Sequence, residues 1–273
     1  MANTIDWGKA SVNNTNGYGK GRINNTIRWG KIYDSSASGD TNIGTATTPS
    51  FSNTKSIALD GVDDFVQVSN NTDINFTSAF SVSMWINTSS SNVMYPITHG
   101  SGSEIKYYIQ LFAPIDRIRL FLADGSSANI ALDNTQVFDD GQWHHLAFTT
   151  DGTTNADKVI VYFDGSPLSN KGTLLNTGIR SVTTDLFIGK IPNTARFVGN
   201  MDEIALFNSE LSQSDITAIY NSGVPTSLSS YSGLVSWWRC GDGDTSPTLT
   251  DNGSGGNNGT MTNFSTFSSD VPT

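Results

Sequence analysis

The sequence predicts an all-β protein made of consecutive antiparallel strands with one short helix. Asn, Ser, Thr and Gly fill much of the chain and only 15% of its residues are charged, whereas about 25% is typical of soluble domains. These polar residues favour turns and polar strand faces over helices. Short apolar or alternating runs recur between turn residues, which is typical of a sandwich. A length of 273 residues suits one large β domain with small appendages.

An 11-residue repeat marks the N-terminal region, where Asn-Thr-x-x-aromatic-Gly-Lys occurs three times. Gly and Asn at fixed positions make a helix costly, so we expect short extended pieces joined by Gly turns in residues 1–33. One aromatic residue per repeat cannot form a core alone. The arm therefore either lies irregularly on the main domain or docks on another protein or another copy. The docking alternative assigns assembly to its aromatic residues, Trp7, Tyr18 and Trp29.

Residues 34–50 are rich in Ser, Thr, Gly and Asp and are predicted to be a linker. Strand-like runs then follow one another at residues 65–68, 80–85, 107–112, 118–122, 143–148, 159–163, 186–188 and 204–207. Asp164-Gly165 is a strong hairpin signal. Ser212 followed by Asp215 has the spacing of a capping box, and Gly223 suits the end of a helix, so a helix is expected between them.

Five motifs of this region stand in a characteristic order: LDGVDDFV at 59–66, FSVSMWI at 80–86, DGQWHHLAF at 140–148, YFDG at 162–165 and FVGNMDEI at 197–204. Together with the helix they resemble the laminin-G-like members of the concanavalin A-like lectin and glucanase superfamily over residues 51–223. The resemblance implies a jelly-roll sandwich of two antiparallel sheets, one of them concave.

The C-terminal region, residues 224–273, departs from the order of that family. Its strand-like run at 234–238 and the Gly- and Asn-rich loop after it are similar to the segment that usually begins such domains. It either completes this sandwich as a permuted edge or begins a truncated second unit. We favour completion because closing an open edge removes unpaired backbone groups.

A structural Ca²⁺ is also implied by the resemblance, because many relatives carry one. Hard cations need several oxygen ligands, and acidic residues occupy the matching motif positions at Asp60, Asp63, Asp64 and Asp202. The alternative is that these carboxylates cap turns and strand ends. The candidates for stacking on a glycan are the aromatic residues Tyr95, Tyr107 and Tyr108. Strand alternation turns about half of such residues toward the core.

Catalytic chemistry is not expected. Glycosidases of the superfamily use paired carboxylates in a Glu-x-Asp-x-x-Glu strand, and this pattern is absent from the sequence. His144 and His145 are adjacent, so on a strand they point to opposite faces and cannot share one site. His99, beside Gly100, is expected in a loop, and the sequence shows no partner for it.

A net charge of −10 disfavours nucleic acid and anionic membranes as partners. Cys240 is alone, and neither a signal segment nor a membrane-spanning run is evident in the sequence. We therefore expect synthesis in a host cytoplasm and exposure on a virion. The N-terminal repeat is similar to the start of structural proteins of tailed phages. The first hypothesis is a non-enzymatic capsid-decoration or fibre protein with a lectin-like domain that contacts host-surface glycans.

In that hypothesis the arm binds other virion proteins, and a homo-oligomer, preferably a trimer, is expected. The second hypothesis is a bacterial carbohydrate-binding or adhesion module, and the third is a glycoside hydrolase. Cofractionation with purified particles separates the first two.

Overall fold

The computed structural model describes the backbone of residues 17–23, 26–32 and 129–134, and both backbone and side chains of residues 51–124, 135–153, 158–168, 178–192 and 195–273. The chain forms two compact units, residues 1–51 and residues 52–273. In the first unit, strand β1 (Gly17–Ile23) pairs antiparallel with strand β2 (Thr26–Ile32). Lys20 is thereby opposite Trp29. Trp7 and the linker lie outside the described residues.

The second unit contains the predicted succession of strands. In chain order they are β3 (Ser56–Asp60), β4 (Phe65–Val68), β5 (Phe80–Asn87), β6 (Val93–Ser101), β7 (Glu104–Phe112), β8 (Arg117–Ala123), β9 (Asn129–Thr135), β10 (Trp143–Thr150), β11 (Val159–Phe163), β12 (Ser166–Pro167), β13 (Leu186–Ile188), β14 (Val198–Phe207), β15 (Leu234–Trp238), β16 (Thr248–Leu249), β17 (Gly259–Thr262) and β18 (Phe267–Ser268). One α-helix, α1 (Gln213–Tyr220), lies between β14 and β15.

These strands form two sheets. The first has the order β12-β11-β10-β5-β14-β3-β18, and β15 also pairs with β14. The second has the order β16-β17-β4-β13-β6-β7-β8-β9. Every pairing between named strands is antiparallel. The predicted fold class, an all-β antiparallel sandwich with one short helix, is confirmed.

The core lies between the two sheets and is built by alternation along each strand. In β5, Phe80, Val82 and Met84 point into the buried cluster. Ser81 and Ser83 point to the other side, because successive strand residues face opposite ways. That other side is also covered, so β5 is buried on both of its faces.

The covering element is α1. Ser212 and Asp215 form the predicted capping box, which satisfies backbone N–H groups at the start of the helix. Ile216 and Ile219 are buried, and the ring of Tyr220 stacks on Trp85 with centroids 5.9 Å apart. The left-handed residue that ends the helix is Asn221, at φ 45°, and not the expected Gly223.

Strand β6 is not among the strands expected from the sequence, and it contains Pro96 and Gly100, which are typical of loops. The structure accommodates both residues at shifts of register against β7, between Met94 and Ile97 and between His99 and Gly100. Proline within a sheet is tolerated at such irregularities. The expectation of a loop at His99 is wrong: the residue is fully buried, and its Nε2 lies 3.0 Å from Asn70 Oδ1.

The C-terminal region contributes strands to both sheets. β15 pairs with the second half of β14, and β18 pairs with β3 in the first sheet. β17 pairs with β4 in the second sheet. Trp238 is fully buried in the core between the sheets. Residues 224–273 are thus paired within the same sandwich as the preceding strands. No helix in the described part of the chain is long and apolar enough to span a membrane.

Candidate functional site

A row of side chains crosses the face of the second sheet that points away from the core. In register, Gln67 of β4 lies opposite Phe187 of β13, which lies opposite Thr98 of β6. Thr98 is opposite Tyr108 of β7, and Tyr108 is opposite Phe121 of β8. Directly opposed residues share one face. We call these five residues the outer row.

Aromatic rings dominate one half of this face. Tyr108 and Phe121 stack with centroids 4.7 Å apart and planes inclined by 3°. Tyr95 packs edge-on against Tyr108 at 5.3 Å and receives a hydrogen bond from Gln110. Burial raises the pKa of the Tyr95 phenol, so its hydroxyl stays protonated at neutral pH. All three rings are half-buried, which holds them in place and leaves part of each ring accessible.

Cationic groups lie beside the aromatic rings at the other end of the same face. Lys190 Nζ sits 3.1 Å from the centroid of Phe65 and 4.4 Å from that of Phe187. Arg196 Cζ is 5.5 Å from the same Phe65 ring. These are cation–π distances. Burial, with a smaller contribution from the charge of Arg196, lowers the pKa of Lys190 to about 8.

Thr98, in the middle of the outer row, has an unsatisfied hydroxyl. The residue is fully buried, and its Oγ1 has no hydrogen-bond partner among the described residues. A buried polar atom normally finds a partner in protein or water. Gln67, in the same row, donates from Nε2 to Asp185 at 2.6 Å. The outer row therefore combines apolar rings with a few fixed polar groups.

The three aromatic residues suggested as glycan contacts do not share one face of the sheet. Tyr95 and Tyr108 lie on the outer face, in contact with each other. Tyr107 is fully buried in the core between Phe80 and Phe148, at ring distances of 5.5 and 5.4 Å. The suggestion that Tyr107 stacks on a glycan is therefore wrong. The reason is alternation along β7, which sends neighbouring side chains to opposite faces.

The predicted calcium ligands separate into two places. Asp60, Asp63 and Asp64 offer carboxylate oxygens that lie within 4.8 Å of one another. Asp202 is not part of this group, because Asp60 pairs with Val198 and Asp202 lies four residues further along β14. The prediction that Asp202 is a fourth calcium ligand is therefore wrong.

Two of the three grouped acids, Asp60 and Asp64, also act as turn caps. Asp60 Oδ1 accepts from the backbone N–H of Val62 at 2.7 Å, and this hydrogen bond lowers the pKa of Asp60. Asp64 Oδ2 accepts from Asp60 N at 3.1 Å, while burial raises the pKa of Asp64. The second oxygens of these carboxylates are hard donors that suit Ca²⁺, although three carboxylates supply only part of the 6–8 oxygens of a usual site. Calcium stays a prediction.

A buried acidic pair on β14 is the feature that the sequence reasoning missed. Asp202 accepts from Asn53 Nδ2 at 2.8 Å, and Glu203 accepts from the indole N–H of Trp237 at 2.5 Å. Arg239 Nε lies 3.3 Å from the other oxygen of Glu203. Burial raises the pKa of Glu203 to about 7 and that of Asp202 well above its usual range. The sequence feature that could have revealed this buried pair is two adjacent acidic residues within a largely apolar strand.

The bulge in β14 explains how both acids become buried. Glu203 has a left-handed φ of 47°, and the pairing of β14 with β5 shifts register between Asp202 and Ala205. A bulge adds an extra residue and turns two adjacent side chains toward one side. Glu203 lies against Trp237 and Arg239, Asp202 lies against Asn53, and both residues have little contact with solvent.

The two adjacent histidines occupy separate environments, as expected. His145 is fully buried, with Nε2 2.8 Å from Ser83 Oγ, and burial lowers its pKa to about 4. His144 Nδ1 lies 2.8 Å from Asp164 Oδ2. Burial lowers the pKa of His144, but hydrogen bonds and charges of Asp164 and Asp140 outweigh that effect and raise it. Ser83, the hydroxyl partner of His145, is itself buried, and the hydrogen-bond partners of His144 are the carboxylates of Asp164 and Asp140.

Comparison with known proteins supports the same fold. The chain is similar to adhesion G-protein coupled receptor V1 of Danio rerio, with 24% identity over 166 residues that represent 58% of this chain and 3% of the receptor. It is similar to a candidate carbohydrate-binding protein of Bacteroides ovatus, with a TM-score of 0.59, 17% identity and coverage of 80% of this chain and 61% of that one. Mouse laminin α1 domains LG4-5 match with a TM-score of 0.46 and 14% identity over 66% of this chain and 46% of theirs.

These relatives extend well beyond the matched region, and the chain spans less than two thirds of their lengths. The family assignment rests on the sequence itself. Residues 60–217, more than half of the chain, match the laminin-G-type profile of one superfamily. This region includes the outer row and the acidic group around Asp60. The protein belongs to the concanavalin A-like lectin/glucanases superfamily.

Proposed function

We propose that the protein is a non-enzymatic surface protein of a virus particle, with a lectin-like sandwich that binds glycans of the host surface. The single observation that carries the glycan-binding part is the outer row with its adjoining Tyr95 ring. Sugar sites combine apolar or aromatic contact area with a few fixed polar groups. Tyr95, Tyr108 and Phe121 supply the rings, and Gln110 supplies a polar group beside them.

Binding by one such face is expected to be weak. A dissociation constant of about 1 mM corresponds to about −4 kcal/mol, which a few hydrogen bonds and one or two stacked rings can supply. Many copies on one particle would raise the effective concentration and produce useful adhesion. The virion part of the proposal is supported by the N-terminal repeat alone.

The non-enzymatic part is supported by the position of the acids. Glycoside hydrolysis needs two carboxyl groups that flank the scissile bond. Asp202 and Glu203 have raised pKa values, but both are at most 2% exposed, so a glycosidic bond has no room between them.

The test is a glycan array that is probed with a multivalent form of the full chain, with a reducing-sugar assay on every hit. Tyr108→Ala should weaken array binding strongly, because it removes the ring at the centre of the aromatic half. Val224→Ala serves as the control, since it removes an exposed apolar side chain away from this face. Equal binding by Tyr108→Ala and the native protein contradicts the assigned face, and released sugar contradicts the non-enzymatic claim.

A bacterial carbohydrate-binding module is the second candidate. It is favoured by the similarity of fold to the Bacteroides ovatus protein over 80% of this chain. The two candidates differ in location, so cofractionation of the protein with purified virus particles decides between them.

A further inference from the structure

A cavity of about 570 Å³ opens beside the start of β15, away from the outer row. Three segments that are distant in sequence surround it: the end of β14, the segment before β15 and the Gly-rich loop after Asp251. The side chains that line it are Asn208, Ser229, Tyr231, Leu234, Asn252 and Ser254. Its volume falls within the range of about 300–1,000 Å³ that is usual for small-molecule sites.

We propose that this cavity is a second binding site, which takes a neutral saccharide. Its lining contains two amides, two serine hydroxyls and a phenol, and none of its lining residues is acidic or basic. Amides and hydroxyls both donate and accept hydrogen bonds, which matches the hydroxyl groups of a sugar. Tyr231 and Leu234 supply apolar surface for the C–H groups of a pyranose ring.

The surrounding charges disfavour an anionic sugar. Burial, and after it the negative charge of Asp215, raises the pKa of the Tyr231 phenol. The phenol is thus a protonated donor at neutral pH. A uronic acid or a sulfated sugar would find no cation in the lining to offset its desolvation.

The walls of the cavity are held in place before any ligand binds. Asp251 accepts backbone hydrogen bonds from Trp237, Gly253 and Asn257 at 2.7–2.8 Å, which pins the loop against β15. A Cβ at position 253 would lie 2.3 Å from Val235 O, so only glycine allows this close approach. Asn208 N donates to Gly233 O at 2.8 Å on the opposite wall.

The ring of Tyr231 is positioned in the same way. It packs edge-on against Phe207, with centroids 6.3 Å apart. Ser254 Oγ donates to Leu234 O at 2.8 Å and keeps its lone pairs for a ligand. A preorganised site loses less conformational entropy on binding, which favours measurable affinity from a small contact area.

The experiment uses the full chain labelled with ¹⁵N and a panel of neutral monosaccharides, namely glucose, galactose, mannose and N-acetylglucosamine, with glucuronic acid as the charged comparison. At least one neutral sugar should produce saturable amide shifts at Gly253, Ser254 and Asn208, with a dissociation constant on the order of 1 mM. Glucuronic acid should bind at least several-fold more weakly.

Asn252→Ala should weaken binding at least three-fold. Asn208→Trp fills the cavity and leaves the polar side chains of the Gly-rich loop in place, so it should abolish sugar binding. Ser230→Ala is the matched control, because Ser230 is exposed beside the lining without being part of it. Well-dispersed spectra show that each variant is folded.

Failure of this proposal is distinguishable from failure of the outer-row proposal. Tyr108→Ala should weaken array binding and keep the saturable shifts at the cavity. The cavity proposal is overturned if no neutral sugar gives saturable shifts at these amides, or if Asn208→Trp binds as well as the native chain.

Discussion

Replacement of Glu203 by glutamine should remove a pH-dependent loss of stability. In the folded protein, burial beneath Trp237 and Arg239 raises the pKa of Glu203 from 4.5 to about 7. The unfolded chain releases this proton at the lower value, so the folded state binds more protons between the two pH values. The free energy of unfolding therefore decreases as pH rises through that window. The destabilisation caused by ionising Glu203 in the folded protein is absent below about pH 4.5 and complete above about pH 7.

The size of the effect follows from the two pKa values. Each pH unit is worth about 1.4 kcal/mol, so moving from 4.5 to about 7 corresponds to roughly 3 kcal/mol. Glutamine keeps an acceptor for the indole N–H of Trp237 and cannot ionise. Arg239 keeps its contact with Asp242 at 3.3 Å. The stability of Glu203→Gln relative to the native protein should therefore increase by up to this amount between about pH 5 and about pH 8.

Urea unfolding of both proteins at a series of pH values measures this difference directly. The buried histidines His99 and His145 have lowered pKa values of about 3 and about 4, so each favours folding more as pH rises toward 6.5. They are present in both proteins and cancel in the difference. Glu210→Gln is the control, because Glu210 is exposed. Parallel pH profiles for Glu203→Gln and the native protein would refute the reasoning.

Three further predictions concern assembly, the C-terminal region and calcium. Deletion of residues 1–33 should leave the sandwich folded and abolish assembly, as measured by incorporation into particles and by light scattering; normal incorporation contradicts a docking role. Truncation at Gly233 should give insoluble protein or a sharply lower melting temperature, because it removes Val235, Trp237 and Trp238, all at most 5% exposed. Each buried side chain of this kind contributes about 1.5–3 kcal/mol to stability. An unchanged melting temperature would show that the segment is an appendage. Ca²⁺ should raise the melting temperature of the native chain and should leave that of Asp63→Asn unchanged. Asp73→Asn, which changes an exposed acid outside the group, is the control and should show the same increase as the native chain. An increase that persists in Asp63→Asn places the ion elsewhere.

Short-range features were readable from the sequence. The capping box of Ser212 and Asp215 starts α1 as predicted, because cap and first turn are neighbours in the chain. The Asp164-Gly165 signal marks a real hairpin, with both residues at positive φ. The apolar runs also identified most strands and hence the sandwich. These features depend on residues within about four positions of one another.

Tertiary structure decided which of the predicted residues come together. Tyr107 and Tyr108 were equivalent in sequence, and only the register of β7 buries the first and places the second on the outer row. Asp202 matched a motif of acids, yet strand pairing separates it from Asp60 and a bulge places it beside Glu203 in the interior. Strand β6 forms in spite of Pro96 because β7 and β13 flank it.

The composition and the alternating apolar runs between turn residues determined the fold class of this protein, because alternation and turn chemistry act locally. The five family motifs indicated its superfamily. The sites needed the folded chain. The outer row draws one side chain from each of five strands, and the cavity beside β15 joins three segments between residues 208 and 254. Such contacts arise from sheet register and loop packing over long sequence separations, which no local pattern encodes.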